Sequence, residues 1–353
     1  MAKKKVLIGM SGGVDSSVAA HLMQQAGFDC IGATMTLCQG LPGVPPQDSG
    51  DAQAVADRLQ IPFHTLDAND AFRSCVVDSF VAAYEDGLTP NPCIECNRHL
   101  KFRVMLDKAL EMGCDGIATG HYAIIRKDTQ TGRFRLFKAA DPQKDQSYFL
   151  AYLTQDQLAH TYLPLGQYTK DQIRQIAEAE SFINAKRKDS QDICFIPDGD
   201  YVRFLKEYTE KTYPAGDFCD LEGNIVGQHS GAVAYTIGQR KGLGIALGAP
   251  VYVCNKDMDQ NTVTVGPDNA LFREQLIADD WNWIPFPQLT APMEVEAKIR
   301  YRHTPQKATV YPLEDGSCKV VFQSPQRAIT PGQTVVLYRN DEVIGCGRIQ
   351  KVL

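Results

Sequence analysis

The sequence predicts an α/β protein: an N-terminal doubly wound parallel sheet, then a small central domain and a C-terminal β-barrel. Three observations carry this reading. Buried-strand runs alternate with helically spaced apolar residues up to about Tyr208, beyond which the texture changes to short runs broken by glycine. From Met293 onward, short alternating runs separated by turn signals remain. The chain has 353 residues, and at roughly 150 residues per domain it should hold two or three domains. We place them at 1–207, 208–275 and 276–353.

The first strand is Val6-Leu7-Ile8-Gly9, followed by a helix carrying Val18, Leu22 and Met23. Asp29–Leu37 reads as a second buried strand, and Cys38–Gly50, dense in Gly and Pro, as a loop. Asp48 or Ser49 is placed to cap a helix through Ala52, Val55, Ala56 and Leu59. Ile61–Leu66 supplies a third strand and Asp70–Glu85 a long helix with Phe72, Val76, Phe80 and Ala83 on its apolar face. Such alternation makes βαβ units, whose ligands sit beyond the carboxyl ends of the strands. Pro90 and Pro92 set an extended or turned backbone before a helix with Phe102, Leu106 and Leu110. Gly116–Thr119 is a strand entering a glycine turn, Arg126–Lys138 a hairpin about Gly132, and Thr169–Ala179 a helix. In the last domain Val295–Tyr301, Ala308–Tyr311, Lys319–Phe322, Thr334–Tyr338 and Val343–Val352 read as short strands of the barrel.

Composition narrows the function classes. Apolar residues make up 44% and charged residues 22%, as in ordinary soluble globular proteins. No run of about 18 apolar residues suggests a membrane span, and Met1–Lys5 lacks an apolar signal core; a cytoplasmic protein is expected. The eleven cysteines form no small secreted framework. With a net charge of −6, any RNA partner must be met by local basic patches. Candidates are Arg98–Arg103, Lys186-Arg187-Lys188, Gln239-Arg240-Lys241 and Arg300–His303, each equally readable as a solvated face.

The stretch that points to chemistry is Met10-Ser11-Gly12-Gly13-Val14-Asp15-Ser16-Ser17, between the first strand and the first helix. Its glycines let main-chain N–H groups approach an oxyanion, Ser11, Ser16 and Ser17 offer hydroxyls, and the helix adds its positive end. Together these make a phosphate cradle. The loop is not a Walker A sequence. Gly9–Gly13 satisfies the G-x-S-x-G nucleophile elbow, but that elbow normally follows several strands of a sheet, and here one strand precedes it. Cys93-Ile94-Glu95-Cys96 is a single C-x-x-C, open to a zinc half-site, a redox pair or coincidence. No second pair of ligands completes a zinc ribbon. Near a helix N-terminus a thiolate is favoured, and Cys96 with the distant Cys194 would supply attack and resolution.

Ser11–Ser17 directly after the first strand resembles the loop of the PP-loop ATP pyrophosphatases, whose fold is that of the adenine nucleotide alpha hydrolases. Further blocks extend the likeness over nearly the whole chain: Thr89–Pro92, Cys96-Asn97, Lys101-Phe102, Thr119–Tyr122, Lys144–Tyr148, Ser190–Phe195 and Thr236–Gly242. In this order they are similar to the bacterial tRNA-specific 2-thiouridylases. The resemblance implies sulfur transfer to C2 of the wobble uridine of tRNAs for Lys, Glu and Gln. ATP adenylates O2 with release of pyrophosphate, and a persulfide sulfur from an upstream carrier protein displaces AMP. It implies Cys96 as nucleophile and Cys194 as persulfide carrier, able to pair as a disulfide after transfer. The ATP site maps to Gly9, Met10, Ser11, Gly12, Gly13, Val14, Asp15 and Ser16, with Met35 and Gly120 on the adenine side and Asp15 helping to hold Mg²⁺. Positions facing tRNA map to Asn91, Pro92, Cys93, His121, Lys144, Asp145, Gln146, Arg300, Tyr301 and Gln333. The target base must leave its stack, and Tyr or His can stack on it.

Cys93 departs from the pattern, since many members carry Asp there. It reads as a spare thiol, a second resolving partner or, with Cys96 and Cys194, a ligand of a labile [4Fe–4S] centre with one iron open. Two rival functions stay open on the sequence. Another PP-loop ligase, amidating a small molecule, needs the loop but neither cysteine. A non-catalytic RNA-binding protein needs the basic patches but no ATP. A monomer is expected.

Overall fold

The structure is a computed structural model that describes residues 3–185, 187 and 192–353. Lys186, Lys188, Ser190 and Gln191, singled out above, lie outside the described residues. The N-terminal part contains β1 (Lys5–Gly9), β2 (Asp29–Thr36), β3 (Phe63–Asp67), β4 (Gly116–Thr119), the hairpin β5 (Ile124–Lys127) and β6 (Phe134–Phe137), and β7 (Thr161–Tyr162). One sheet runs β3-β2-β1-β4-β7, with every neighbouring pair parallel. Val6, Leu7 and Ile8 are wholly buried, because helices cover both faces of a parallel sheet and leave no polar side for alternation. Strand order reverses between β1 and β4, so the loop after β1 opens at the switch point.

The helices follow local rules. Val14–Gln25 buries Val14, Val18, Ala19 and Met23. Gly50–Leu59 starts where Gly50 N–H donates to Asp48 Oδ1 at 2.8 Å, while Ser49 makes no side-chain cap. Asn69–Phe72, Arg73–Val77 and Asp78–Glu85 run on as one helix with a π-helical middle. Pro92–Cys96, Asn97–Val104 and Met105–Glu111 do the same, with Pro92 at the first helical position, where its missing N–H costs nothing. Lys170–Ala179 is closed by a capping box between Thr169 and Gln172. No helix among the described residues is long and apolar enough to cross a membrane.

The central part is a four-stranded mixed sheet of β8 (Gly216–Cys219), β9 (Ile225–His229), β10 (Tyr252–Asp257) and β11 (Thr262–Gly266), in the order β10-β11-β8-β9. The barrel has six strands: β12 (Phe272–Trp283), β13 (Met293–Lys298), β14 (Gln306–Pro312), β15 (Cys318–Arg327), β16 (Thr334–Arg339) and β17 (Glu342–Val352). Pairing of β12 with β17 closes it. Five of the six are the strands expected from alternation. β12 was missed because its register shifts between Ile277 and Ala278 and again between Asp279 and Asn282, with Asp280 at φ 48°; such bulges erase a period of two. It also runs across the expected 275/276 division. The expected hairpin is present, but β6 pairs with β17 and joins the barrel sheet rather than the parallel one.

The barrel holds the cysteine-bearing helix in place. Thr89 N–H donates to Pro331 O at 3.0 Å, and Gln333 Nε2 donates to Thr89 O at 2.7 Å. A Cβ on Gly332 would stand 2.8 Å from Leu88 Cβ and from Thr89 N, so only glycine permits this approach. One turn along the helix, Arg98 pairs with Asp280 of β12, with Nη2 to Oδ1 at 3.1 Å.

Candidate active site

The loop after β1 is built from the sheet outward. Met10 N–H donates to Ala33 O at 2.7 Å, extending the ladder to β2. The chain turns at Gly12, φ +73°, where a Cβ would also press on Asp51 Cβ at 3.3 Å. Gly13 is the residue before the first helix, and the first helical bond runs from Ser17 N–H to Gly13 O, 3.3 Å. The N–H groups of Val14, Asp15 and Ser16 therefore have no helical acceptor, and they lie at the positive end of the helix dipole. Ser16 Oγ donates to Gly13 O (3.0 Å) and accepts from Ser11 N–H (3.2 Å); Ser17 Oγ donates to Gly13 O (3.0 Å). Of the three hydroxyls read as phosphate donors, these two shape the loop instead. Ser11 is exposed, with its Oγ 3.4 Å from Ser16 Oγ. Gly9 ends β1 against Met105 Sδ, 3.1 Å from where its Cβ would be. Met35, near the carboxyl end of β2, is half-buried.

Gly120, just past β4, is required by close approach: its Cβ would lie 2.7 Å from Asp15 C and Ser16 N. Asp15 does not stand free for a metal. Its Oδ1 and Oδ2 accept from Lys170 Nζ at 2.8 and 2.9 Å, and Tyr122 OH donates to Oδ1 at 2.6 Å. In this structure the Asp15 carboxylate is therefore engaged by Lys170 and Tyr122 within the loop. Asn184 Nδ2 donates to Gly12 O and Ser17 Oγ, both at 2.9 Å. Arg187 Nη1 donates to Gly12 O at 3.2 Å and to Asp51 Oδ2 at 2.6 Å. Lys170 and Asn184 carried no motif, and Arg187 stood out only as part of a basic patch; more than 130 residues separate each of the three from the loop position it braces.

The thiols gather at the same edge. Cys93 is exposed at the second helical position and Cys96, one turn in, is buried. Cys194 is exposed. Cys38, two residues past β2, is half-buried and packs with Leu37 and Ile193 against the apolar cluster that contains Cys96. The sequence places Cys96 where a helix start favours thiolate; the structure buries it, and burial pushes its thiol up to about 11. Desolvation by the protein around its sulfur also raises Cys93, although the residue as a whole is exposed. Lys101 counters both, and counters the upward shift of Cys194 as well. Cys96 and Lys101 share a face because the intervening turn is π-helical, with an i to i+5 repeat; a 3.6-residue reading separates them. Interaction between Cys38 and Cys194 raises the second thiol and lowers the first. Among the described residues no three His, Cys, Asp or Glu side chains are placed to hold a metal ion. Cys93, Cys96 and Cys194 therefore do not form a ligand set for a [4Fe–4S] centre in this structure.

A prediction follows from Lys101. In Lys101→Met, alkylation of Cys194 by iodoacetamide at fixed pH should slow, because the thiolate loses its nearby cation. The rate-against-pH curve should move to higher pH, because thiols already held up lose the charge that offsets the shift. An unmoved curve would remove Lys101 from the site.

The positions mapped to tRNA divide. His121 Nδ1 bonds Thr119 Oγ1 at 2.8 Å and its ring lies 5.5 Å from Phe102. Burial and Lys101 hold it well below the ordinary range, so it is neutral at pH 7 and suited to stacking rather than to phosphate pairing. Tyr301 lies 4.3 Å from Phe149, ring to ring, with Lys298 over it at 5.5 Å. Arg300 Nη1 donates to Arg327 O at 3.2 Å, and burial with Asp145 raises the Tyr301 phenol, Lys144 lying near enough to oppose them. Asn91 and Pro92 form the helix start beside Cys93. Three others are committed inside the protein. Asp145 accepts from Ala139 N–H (3.0 Å) and Ser147 Oγ (2.9 Å), Gln146 Oε1 from Tyr122 N–H (2.9 Å), and Gln333 holds Thr89.

Residues 4–198 match the family described as tRNA methyl transferase HUP domain, 202–267 its PRC-barrel domain, and 273–349 the aminomethyltransferase beta-barrel domain. The tRNA-specific 2-thiouridylase MnmA of Clostridium perfringens is 49% identical over 361 residues, covering 100% of both chains. The protein of that name from Acetivibrio thermocellus is 48% identical over 364 residues, covering 99% of this chain and 100% of the relative. The one from Clostridioides difficile is 47% identical over 358 residues, covering 99% of each. With a phosphate-binding loop and a thiol cluster on one sheet edge, and likeness of this degree along its whole length, the chain belongs to the tRNA-specific 2-thiouridylase family.

Proposed function

We propose that this protein is an ATP-dependent tRNA-uridine 2-sulfurtransferase acting on the wobble uridine, position 34, of tRNAs for Lys, Glu and Gln. The observation that carries the reading is the place of Lys101. Its charge acts on Cys93, Cys96 and Cys194 and also on His121, which follows the Gly120 that seats the ATP loop. Loop and thiols thus share one reaction space, as a small-molecule PP-loop ligase would not require.

In this reading MgATP is a substrate and brings its own cation. The free N–H groups of Val14, Asp15 and Ser16 receive the departing pyrophosphate. Uridine O2 attacks the α-phosphate, and the adenylate makes oxygen a good leaving group. Exposed Cys194 receives the persulfide from a carrier protein. Its outer sulfur attacks C2 and AMP leaves. Cys96 attacks Cys194 Sγ, the inner S–S bond breaks onto the transferred sulfur, and Cys96–Cys194 disulfide and 2-thiouridine result; two thiols are oxidised as the sulfane sulfur is reduced. No step uses an iron–sulfur centre. Asn91, Pro92, Cys93, His121, Lys144, Arg300 and Tyr301 face the tRNA, and Asp145, Gln146 and Gln333 hold their supports. We keep three working units in a monomeric cytoplasmic enzyme, 1–207, 208–275 and 276–353, with the barrel's first strand overlapping the last division.

The test is 2-thiouridine formation on unmodified tRNA for Glu, with ATP, Mg²⁺ and a persulfide donor. Cys96→Ser and Cys194→Ser should each lose roughly a thousand-fold or more of thiolation while still releasing pyrophosphate. Pyrophosphate release without thiolated tRNA in the wild type would transfer the assignment to another ligase.

A further inference from the structure

The helix that carries Cys96 is gripped by the barrel on both sides of that residue. Two positions beyond it, the Arg98 guanidinium forks onto Asp280 of β12, with Nη1 to Oδ2 at 2.5 Å and Nη2 to Oδ1 at 3.1 Å. One position before it, Glu95 Oε1 lies 3.5 Å from Arg348 Nη2 of β17, and the same nitrogen lies 3.4 Å from Asp280 Oδ2. Arg98 is also held 4.6 Å over the ring of buried Tyr152, and its main-chain carbonyl accepts from Gln157 Nε2 at 3.2 Å. Asp280 reaches this place through a left-handed backbone, φ 48°, inside the register shift of β12 between Asp279 and Asn282. Such a conformation at a residue other than glycine persists where surrounding contacts over-determine it. Asn282, at the far end of the shift, donates to Ala151 O at 2.7 Å and Leu153 O at 3.1 Å. The bulge is thus anchored to the α/β part on both sides of its turn. The loop after β1 is braced by other side chains, those of Tyr122, Lys170, Asn184 and Arg187.

We propose that Asp280 is a positioning residue for the sulfur-transfer step: through its fork with Arg98 it fixes the helical turn that carries Cys96 and leaves ATP cleavage to the loop after β1. The inference rests on the two-cysteine reading above. Stability alone is a poor reason for this pair. The side chains of Arg98 and Asp280 are 29% and 36% exposed, and ion pairs that wet contribute little to folding. A bidentate fork adds what a single charge contact lacks, since it fixes direction as well as distance. In the proposed reaction Cys96 attacks Cys194 Sγ in line with the S–S bond, and a turn free to shift or rotate loses that alignment. The same barrel carries Arg300 and Tyr301, proposed above to face the tRNA. Tying the nucleophile's helix to the barrel therefore ties it to the base that receives the sulfur.

The experiment follows pyrophosphate and 2-thiouridine in the same quenched samples of a single turnover, with persulfide donor, ATP, Mg²⁺ and unmodified tRNA for Glu. Wild type is run beside Asp280→Asn and Arg98→Lys. In both variants the 2-thiouridine rate should fall roughly ten-fold, while the pyrophosphate rate stays within about two-fold of wild type, since the fork does not touch the loop. Arg98→Lys keeps the charge and loses the fork, so it decides the matter if Asp280→Asn folds poorly. The double variant Arg98→Lys/Asp280→Asn should be no slower than the slower single, because both changes remove one fork. A wild-type thiolation rate in Arg98→Lys overturns the proposal. So does a fall of both products in equal ratio, which would mark a structural role, or a double variant slower by the product of the two single effects. Pyrophosphate without 2-thiouridine in the wild type would instead sink the two-cysteine reading on which the proposal rests.

Discussion

Gly120→Ala is expected to lower ATP-dependent pyrophosphate release by roughly a hundred-fold, the cost of misplacing reacting groups by about 1 Å. The added Cβ would lie 2.7 Å from Asp15 C and Ser16 N. Both are main-chain atoms of the first helical turn, so no rotamer change relieves the contact. Either β4 or the helix start must move, and the three N–H groups that meet pyrophosphate move with it. Overpacking of this kind costs about 1–3 kcal/mol of stability, which a domain of ordinary stability, about 5–15 kcal/mol, survives. Pyrophosphate release beside a thermal unfolding midpoint separates the two: the variant should fold and yet fail. A wild-type rate would show that the loop tolerates displacement and does not position phosphate through these groups.

Lys170→Met is expected to be the most destabilising single change at the site, at about 3 kcal/mol, the cost of leaving a partly desolvated charge without its cation. The Lys170 side chain is 9% exposed and that of Asp15 29%, so water replaces little of what is lost. Tyr122 OH still donates to Asp15 and limits the damage. The midpoint of urea unfolding should fall, and the KM for ATP should rise because Asp15 lies in the first turn that carries the anion site. Tyr122→Phe, which removes one hydrogen bond and keeps the ion pair, should cost about 1–2 kcal/mol. If Lys170→Met unfolds like wild type, Lys170 is not what holds the loop.

Local chemistry is written locally, and the sequence was read correctly where this holds. The parallel strands β1, β2 and β4 follow from apolar runs, the helix after Thr169 from its spacing of Ile173 and Ile176, and the hairpin from the turn at Gly132. β12 was illegible because two register shifts and a left-handed Asp280 break its alternation. Lys101 was legible as a charge but not as the partner of Cys96, since a π-helical turn changes which residues share a face.

By itself, the sequence determined the order of the α/β part, the central part and the barrel, the glycine-rich loop after the first strand, and the two cysteines proposed for the transfer reaction. Each is a property of neighbours along the chain or of a motif that keeps its spacing. Only the tertiary structure decided the environment of those groups. It paired Asp15 with Lys170 and Gly12 with Asn184, and it buried Cys96 one turn into its helix. Such pairings are made across more than 150 residues by sheet order and core packing. A thiol's reactivity or a carboxylate's charge depends on what packing leaves beside it, and no window of sequence contains that.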